Sequence, residues 1–320
     1  MTEALALLGY ALAGGTLGGA LLRRACWPRW APRLGVAAWQ VLSGSVLASL
    51  VLAGLALAAP DATVSARLAD VLHACVTALR QAYATPGDAL VHAVGPAVAA
   101  ALVARITWCA VHDWREANRT RRFHRHTLQL IAGPGASRNT IVVDHPTALV
   151  YCLPGRPGTV VLTTAAVHTL EPGQLDAVLA HERAHLRGRH HLALAGARVL
   201  ARALPALPIF RWALQEQSTL LEMIADDAAV GVTDRSTVAR ALVRLAEDKL
   251  PAQTLGAADV AAVTRVRRLV DDGPRFGVLA RVSVGLLLLV VALAPAAIAA
   301  GPVLSALGPD YCQLDRVPAA

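Results

Sequence analysis

Ala177-Val178-Leu179-Ala180-His181-Glu182-Arg183-Ala184-His185 is the stretch from which the rest of the chain is read. Around it, Leu175, Val178, Leu179 and Leu186 recur at helical spacing, and Pro172 behind Glu171 suits a helix start. The pattern predicts a helix from about Pro172 to about Arg187. His181 and His185 stand one turn apart on one face. Two imidazoles so placed can converge on a single Zn²⁺. Glu182 projects about 100° further round the helix, near the ion but outside its coordination sphere. A carboxylate there suits a general base that takes a proton from the water attacking a peptide carbonyl.

A catalytic zinc needs a third protein ligand, and two residues compete for the place. His191 completes the spacing His181-x-x-x-His185-x-x-Gly188-x-x-His191. Glu222 opens the run Glu222-Met223-Ile224-Ala225-Asp226, with Asp226 one helical turn further on. The His191 pattern also demands a methionine turn downstream. Met223 is the only methionine after Met1, and it lies in a helical, acidic run. His190 and His191, flanked by Arg187 and Arg189, read more simply as a basic, solvated helix end. Glu222 is therefore favoured, and Asp226 would accept a hydrogen bond from a ligand histidine and fix its tautomer. Between the two motifs, residues 192–214 are apolar, carry Arg198 and Arg202, and are broken by Pro205 and Pro208. They read as a membrane-hugging or re-entrant hairpin beneath the site, or as an ordinary buried helical hairpin. Upstream, residues 127–132, 140–144 and 159–164 read as strands, with turn signals at Pro154-Gly155 and Pro157-Gly158.

Composition places this machinery in a membrane. Of 320 residues, 55% are hydrophobic and only 16% charged, against about 25% charged in a soluble domain. Four apolar stretches are long enough to span a bilayer: 4–22, 34–59, 89–111 and 282–304. Arg105 lies near one end of the third, where it could snorkel, and Pro295 lies inside the fourth. Arg23, Arg24, Arg29 and Arg33 follow the first span, and Arg115, Arg119, Arg121, Arg122 and Arg125 follow the third. Such arginines mark cytoplasmic segments. The expected organisation is an N-terminal membrane domain over 1–112, a cytoplasmic domain over 113–280, and a last span with a short tail over 281–320. The loop at 60–88 and both termini would face outside. Trp27, Trp30, Trp39, Trp108 and Trp114 fall at span ends, as an aromatic belt would. The net charge of +8 is accounted for by these orienting arginines, so no direct binding of nucleic acid is expected. Five cysteines without a CxxC pair argue against a zinc knuckle or a disulfide scaffold, though Cys75 and Cys312 would share the outer face.

Thr159 to Thr164, the helix start at Leu170 to Leu175, the run Ala177 to His185 and the run Glu222 to Asp226 together resemble the gluzincin-type membrane peptidases. Two branches come into view: the HtpX and CaaX-protease branch, and the BlaR/MecR branch of β-lactam-responsive transducers. Three spans, then a zinc domain, then a fourth span is the order of the BlaR/MecR branch. The resemblance implies a mainly α membrane protein with four transmembrane helices and an inserted α+β gluzincin-type metallopeptidase domain. It implies zinc held by His181, His185 and Glu222, with Glu182 as catalytic base and Asp226 behind the ligands. It implies a protein substrate cut on the cytoplasmic side, a BlaI/MecI-like repressor being one candidate. The departure is at the C-terminus: about Gly308 to Ala320 replaces a penicillin-binding domain and carries no SxxK motif. A membrane quality-control protease of the HtpX type is the alternative enzyme, and a non-catalytic membrane signalling protein the alternative without chemistry.

Overall fold

The computed structural model describes residues 1–57, 86–131, 139–247, 257–271 and 276–306. The expected loop after the second span, up to residue 85, lies outside the described residues, as do Cys75, Cys312 and the tail from Gly308. Four helices are long and apolar enough to cross a membrane, as in a multi-pass membrane protein. They are α1 (Thr2–Arg24, with a π-helical stretch at Gly14–Gly18), α3 (Pro32–Ala56), the Ala93–Leu128 part of α4 (Pro86–Ile131), and the Val278–Gly301 part of α11 (Val278–Ala306). A short α2 (Trp27–Trp30) links the first two. Within the described residues, each apolar stretch read from the sequence falls on one of these helices.

The spans are tied by polar contacts inside an apolar layer. The Tyr10 hydroxyl of α1 donates to the Val291 carbonyl of α11 (3.0 Å) and shares a 2.8 Å hydrogen bond with Ser45 of α3. α3 is the hub, packed against α1, α4 and α11. Trp39, expected in an interfacial belt, is buried in this layer at 1% exposure, because its face of α3 meets another helix rather than lipid. Trp108 and Trp114 are exposed.

Downstream of α4 stands a small sheet in the order β1-β3-β2 (Thr140–Val143, Thr159–Thr163, Val150–Leu153). β1 pairs parallel with β3, and β2 antiparallel with it. β2 was hidden behind the turn residues that follow it. The strand expected at 127–132 is, through residue 131, the end of α4. Leu128 is buried against Leu153 and Val161 while Leu130 is exposed, so the alternation of leucines lies on a helix with one face on the sheet. Thr163 ends β3 and caps the short α5 (Thr164–Thr169), accepting a hydrogen bond from the Ala166 amide. α6 (Pro172–Arg187) packs on β2 and β3.

Residues 190–230 form a helical hairpin, α7 (His190–Ala203) and α8 (Pro208–Val230), turned between Pro205 and Pro208. Its tip enters the layer of spans. Ile209 and Phe210 are fully buried, and Ile209 meets Gly15 of α1 and Val46 of α3, both near the middle of their helices. Trp212 lies against Gly19, where the missing side chain leaves room for the indole. Arg105 does not snorkel. Its Nε donates to the Ala203 carbonyl (2.6 Å), satisfying an orphan acceptor at the end of α7. α9 (Arg235–Glu247) and α10 (Ala257–Val270) close the structure over α6 and α8 around Ala177, Ala180, Ala229, Val238 and Leu269.

If the hairpin tip anchors the fold, Phe210→Ala should destabilise the protein by about 3 kcal/mol through the cavity it leaves. Leu286→Ala, on an exposed face of α11, should leave the thermal midpoint in detergent nearly unchanged. Equal midpoints for the two variants would contradict the packing described.

Candidate metal centre

The helix carrying the two histidines is set by its first turn. Pro172 occupies the start, the Glu171 side chain accepts from the backbone of the third helical residue, and Gln174 returns a bond to the Glu171 amide (3.2 Å). Ala177, Val178, Ala180 and Ala184 are buried, so the helix can turn in only one way and presents His181 and His185 toward α8. On α8, Leu220, Leu221, Met223, Ala225 and Ala229 are buried, which fixes Glu222 and Asp226 toward the histidines. Met223 is core within a continuous helix and forms no methionine turn.

His181, His185 and Glu222 offer three ligand atoms to one point. The two Nε2 atoms are 3.1 Å apart, and each lies 3.4 Å from a Glu222 carboxylate oxygen. Ligands at 2.0–2.1 Å from a tetrahedral ion stand about 3.3–3.4 Å from one another. The two imidazole nitrogens and the Glu222 carboxylate, one oxygen facing each, therefore stand at the spacing of ligands around one zinc ion. His191 is not part of this group and turns toward a cleft on the other side of the α6–α7 corner.

Behind this group, each histidine is held by its other nitrogen. His181 Nδ1 lies 3.0 Å from Asp226 Oδ1. His185 Nδ1 lies 2.9 Å from His190 Nδ1. His190 is thus no solvated helix end: it is 5% exposed and folded back beneath His185. Two features allow this. Arg189 takes a left-handed conformation (φ 49°), which reverses the chain between α6 and α7. Gly188 leaves free the space that the His190 ring fills, where any side chain would collide with the imidazole.

Arg265 of α10, far along the chain, completes the arrangement. Its Nε and Nη2 donate to the two oxygens of Asp226 (2.8 and 2.5 Å), and its Nη1 stands 3.0 Å from Glu222 Oε2. Burial alone would raise both carboxylates, but Arg265 and His181 outweigh it and hold each at about 2. Burial would lower His181, yet its bonds to Asp226 and Glu222 carry it to about 9. Burial lowers His185 to about 4, leaving the neutral imidazole that binds metals. Glu182 is half-buried beside Cys152 of β2, whose thiol burial and this neighbouring carboxylate push up to about 12.

Residues 117–303 match the model of peptidase family M48, more than half of the chain. The chain belongs to peptidase family M48. This is a family of zinc metallopeptidases, which are hydrolases. No curated protein and no solved structure matches the chain. Within the M48 region, sequence reasoning did not single out Arg265, the buried role of His190, or Cys152. A basic residue aligned with a buried carboxylate on another helix leaves no local spacing to read. For His190 a signal was present in Gly188, whose missing side chain makes room for a ring two residues on.

Two outcomes follow from this geometry. His190→Phe keeps the ring volume but removes the partner of His185, and should weaken zinc retention by about tenfold in a chelator competition. Arg265→Met leaves Asp226 as an uncompensated buried charge and should cost about 3 kcal/mol, read as a lowered midpoint of thermal unfolding.

Proposed function

We propose that this protein is an integral-membrane zinc endopeptidase that cuts a protein substrate at the membrane surface. His181, His185 and Glu222 hold the zinc, Glu182 is the general base, and Asp226 fixes the tautomer of His181. The observation that carries this reading is the convergence of His181, His185 and Glu222, with 3.1 Å between the imidazole nitrogens and 3.4 Å from each to a Glu222 oxygen, the spacing of ligands around one ion. Bound zinc supplies Lewis acidity, which activates water at neutral pH and polarises a peptide carbonyl. The Glu182 carboxylate accepts the proton of the attacking water and passes it to the nitrogen of the leaving amine. β2 lies at the edge of the sheet and against α6, so an extended substrate can pair along it and bring its backbone to the site. Cys152 lies beside Glu182, and burial together with this carboxylate keeps its thiol protonated.

The peptidase region faces the cytoplasm in this reading, since the arginine-rich segments flank it. Three candidate spans before the motif and one after it, among the described residues, support a BlaR/MecR-like transducer that cleaves a BlaI/MecI-like repressor. The signal then reaches the site through the membrane helices or a second protein.

Purified protein in detergent tests the chemistry. Wild type should hold about one zinc and cut a protein substrate. Glu182→Ala should keep the metal and lose activity by at least about a thousandfold. Glu222→Ala should lose the metal. A Glu222→Ala variant that retains its zinc refutes the ligand set. Cleavage of misfolded membrane proteins, with a co-expressed repressor left intact, would replace the transducer reading by membrane quality control of the HtpX type.

A further inference from the structure

On the far side of the α6–α7 corner from the metal centre lies a cleft of about 560 Å³. Its lining includes Arg121, Arg122 and Arg125 of α4, Arg156 of the β2–β3 turn, and Arg189 and His191 of the corner itself. No carboxylate lines it among the described residues. Five guanidinium groups around one concavity set up a positive potential that favours an anion there.

The cleft is also built. Arg125 reaches across to the β2–β3 turn and donates to the Pro154 carbonyl (2.7 Å). It can do so because Gly155 has no side chain: its guanidinium occupies the place a Cβ would take. Arg121 is braced within its own helix by the Ala117 carbonyl and by Asn118 Oδ1. The Nδ1 atom of His191 is buried and has no hydrogen-bond partner. Arg125 thus joins α4 to the β2–β3 turn across the cleft, and the buried His191 Nδ1 faces it from the corner without a partner.

Depth selects the source of the anion. The hairpin tip at Ile209 meets α1 and α3 near their middles. From Ala203, at the foot of the hairpin, α7 rises about 18 Å to His191, and the hydrocarbon half-thickness is about 15 Å. Trp114, exposed as an interfacial tryptophan is, precedes Asn118 by one helical turn. With Trp114 at the interface one turn away, the cleft opens on the polar side of the hydrocarbon, within reach of lipid headgroups. Its volume suits a glycerophosphate headgroup rather than a bare ion.

We propose that this cleft binds a phosphate-bearing anion, and that the headgroup of an anionic phospholipid is its source. The arginines of α4, the β2–β3 turn and the α6–α7 corner then share one ligand. The site is independent of the metal and of the peptidase reading.

The test uses the full chain in nanodiscs of phosphatidylcholine doped with a fluorescent phosphatidylglycerol, read by energy transfer from the protein's tryptophans. Arg121→Gln/Arg122→Gln should weaken lipid enrichment about tenfold. Arg115→Gln/Arg119→Gln removes equal charge from exposed positions of the same helix outside the cleft and should change it little. Equal loss in both pairs means a diffuse charge effect and overturns the site. Wild-type protein gives an arm that does not depend on variant folding. Enrichment that survives excess inorganic phosphate supports the headgroup as source. Enrichment abolished by millimolar phosphate keeps the phosphate site and assigns it to the free ion. Binding of an acidic peptide at the cleft without any enrichment of phosphatidylglycerol overturns the proposal.

Discussion

Asp226 is an ionised carboxylate at 0% exposure, and most of the architecture follows from what it takes to keep it so. A buried charge is tolerable only when it is paired and hydrogen-bonded. Arg265 supplies two bonds from α10 and His181 supplies a third from α6. One side chain therefore ties three helices that are remote in sequence. Glu222 is drawn into the same network through Arg265, and its position one turn before Asp226 brings its carboxylate to the two histidines as a consequence of the first pairing. Arg268 extends the tie outward, bridging Asp227 and the Arg29 carbonyl, so that α10 is also fastened to the segment after the first span.

The hairpin solves a second problem, which is how to hold two helices in register with the motif helix from below. α8 enters the layer of spans at Ile209 and Phe210 and leaves it again before Glu222, about 20 Å higher along its axis. With its tip among the spans, α8 carries Glu222 away from the middle of the apolar layer. The rigidity of Glu222 is thus inherited from packing among the spans, not from the small sheet. The sheet contributes something else: an edge strand and the Cys152 thiol beside Glu182.

What could be read in advance and what could not divide along physical lines. Local patterns were legible. The Pro172–Arg187 helix, the apolar stretches on α1, α3, α4 and α11, and the pairing of Glu222 with Asp226 on one helix all rest on spacing within a single element. The His191 alternative also rested on spacing, but Gly188 makes room for His190 rather than for a third ligand. Contacts between distant elements left no such trace. Arg265 carries no mark that distinguishes it from Arg267 or Arg268. Arg105 looked like a snorkelling residue because the acceptor it needs, the Ala203 carbonyl, belongs to another segment. Leu128 and Leu130 alternate as in a strand, and only the sheet beneath Leu128 reveals the helix. Trp39 looked interfacial by its place in the chain, and is internal because α8 covers it.

The length of α4 carries a mechanical consequence. As one helix of 46 residues it measures about 70 Å, more than twice the hydrocarbon thickness. From Pro96 outward it is an arm that begins among the spans and ends on the sheet at Leu128. Leverage follows directly: a tilt of about 5° at Pro96 displaces Leu128 by about 4 Å, the scale of one helical turn. Lateral pressure, bilayer thickness or a neighbour pressing on the third span would thereby bear on the strands beside Glu182.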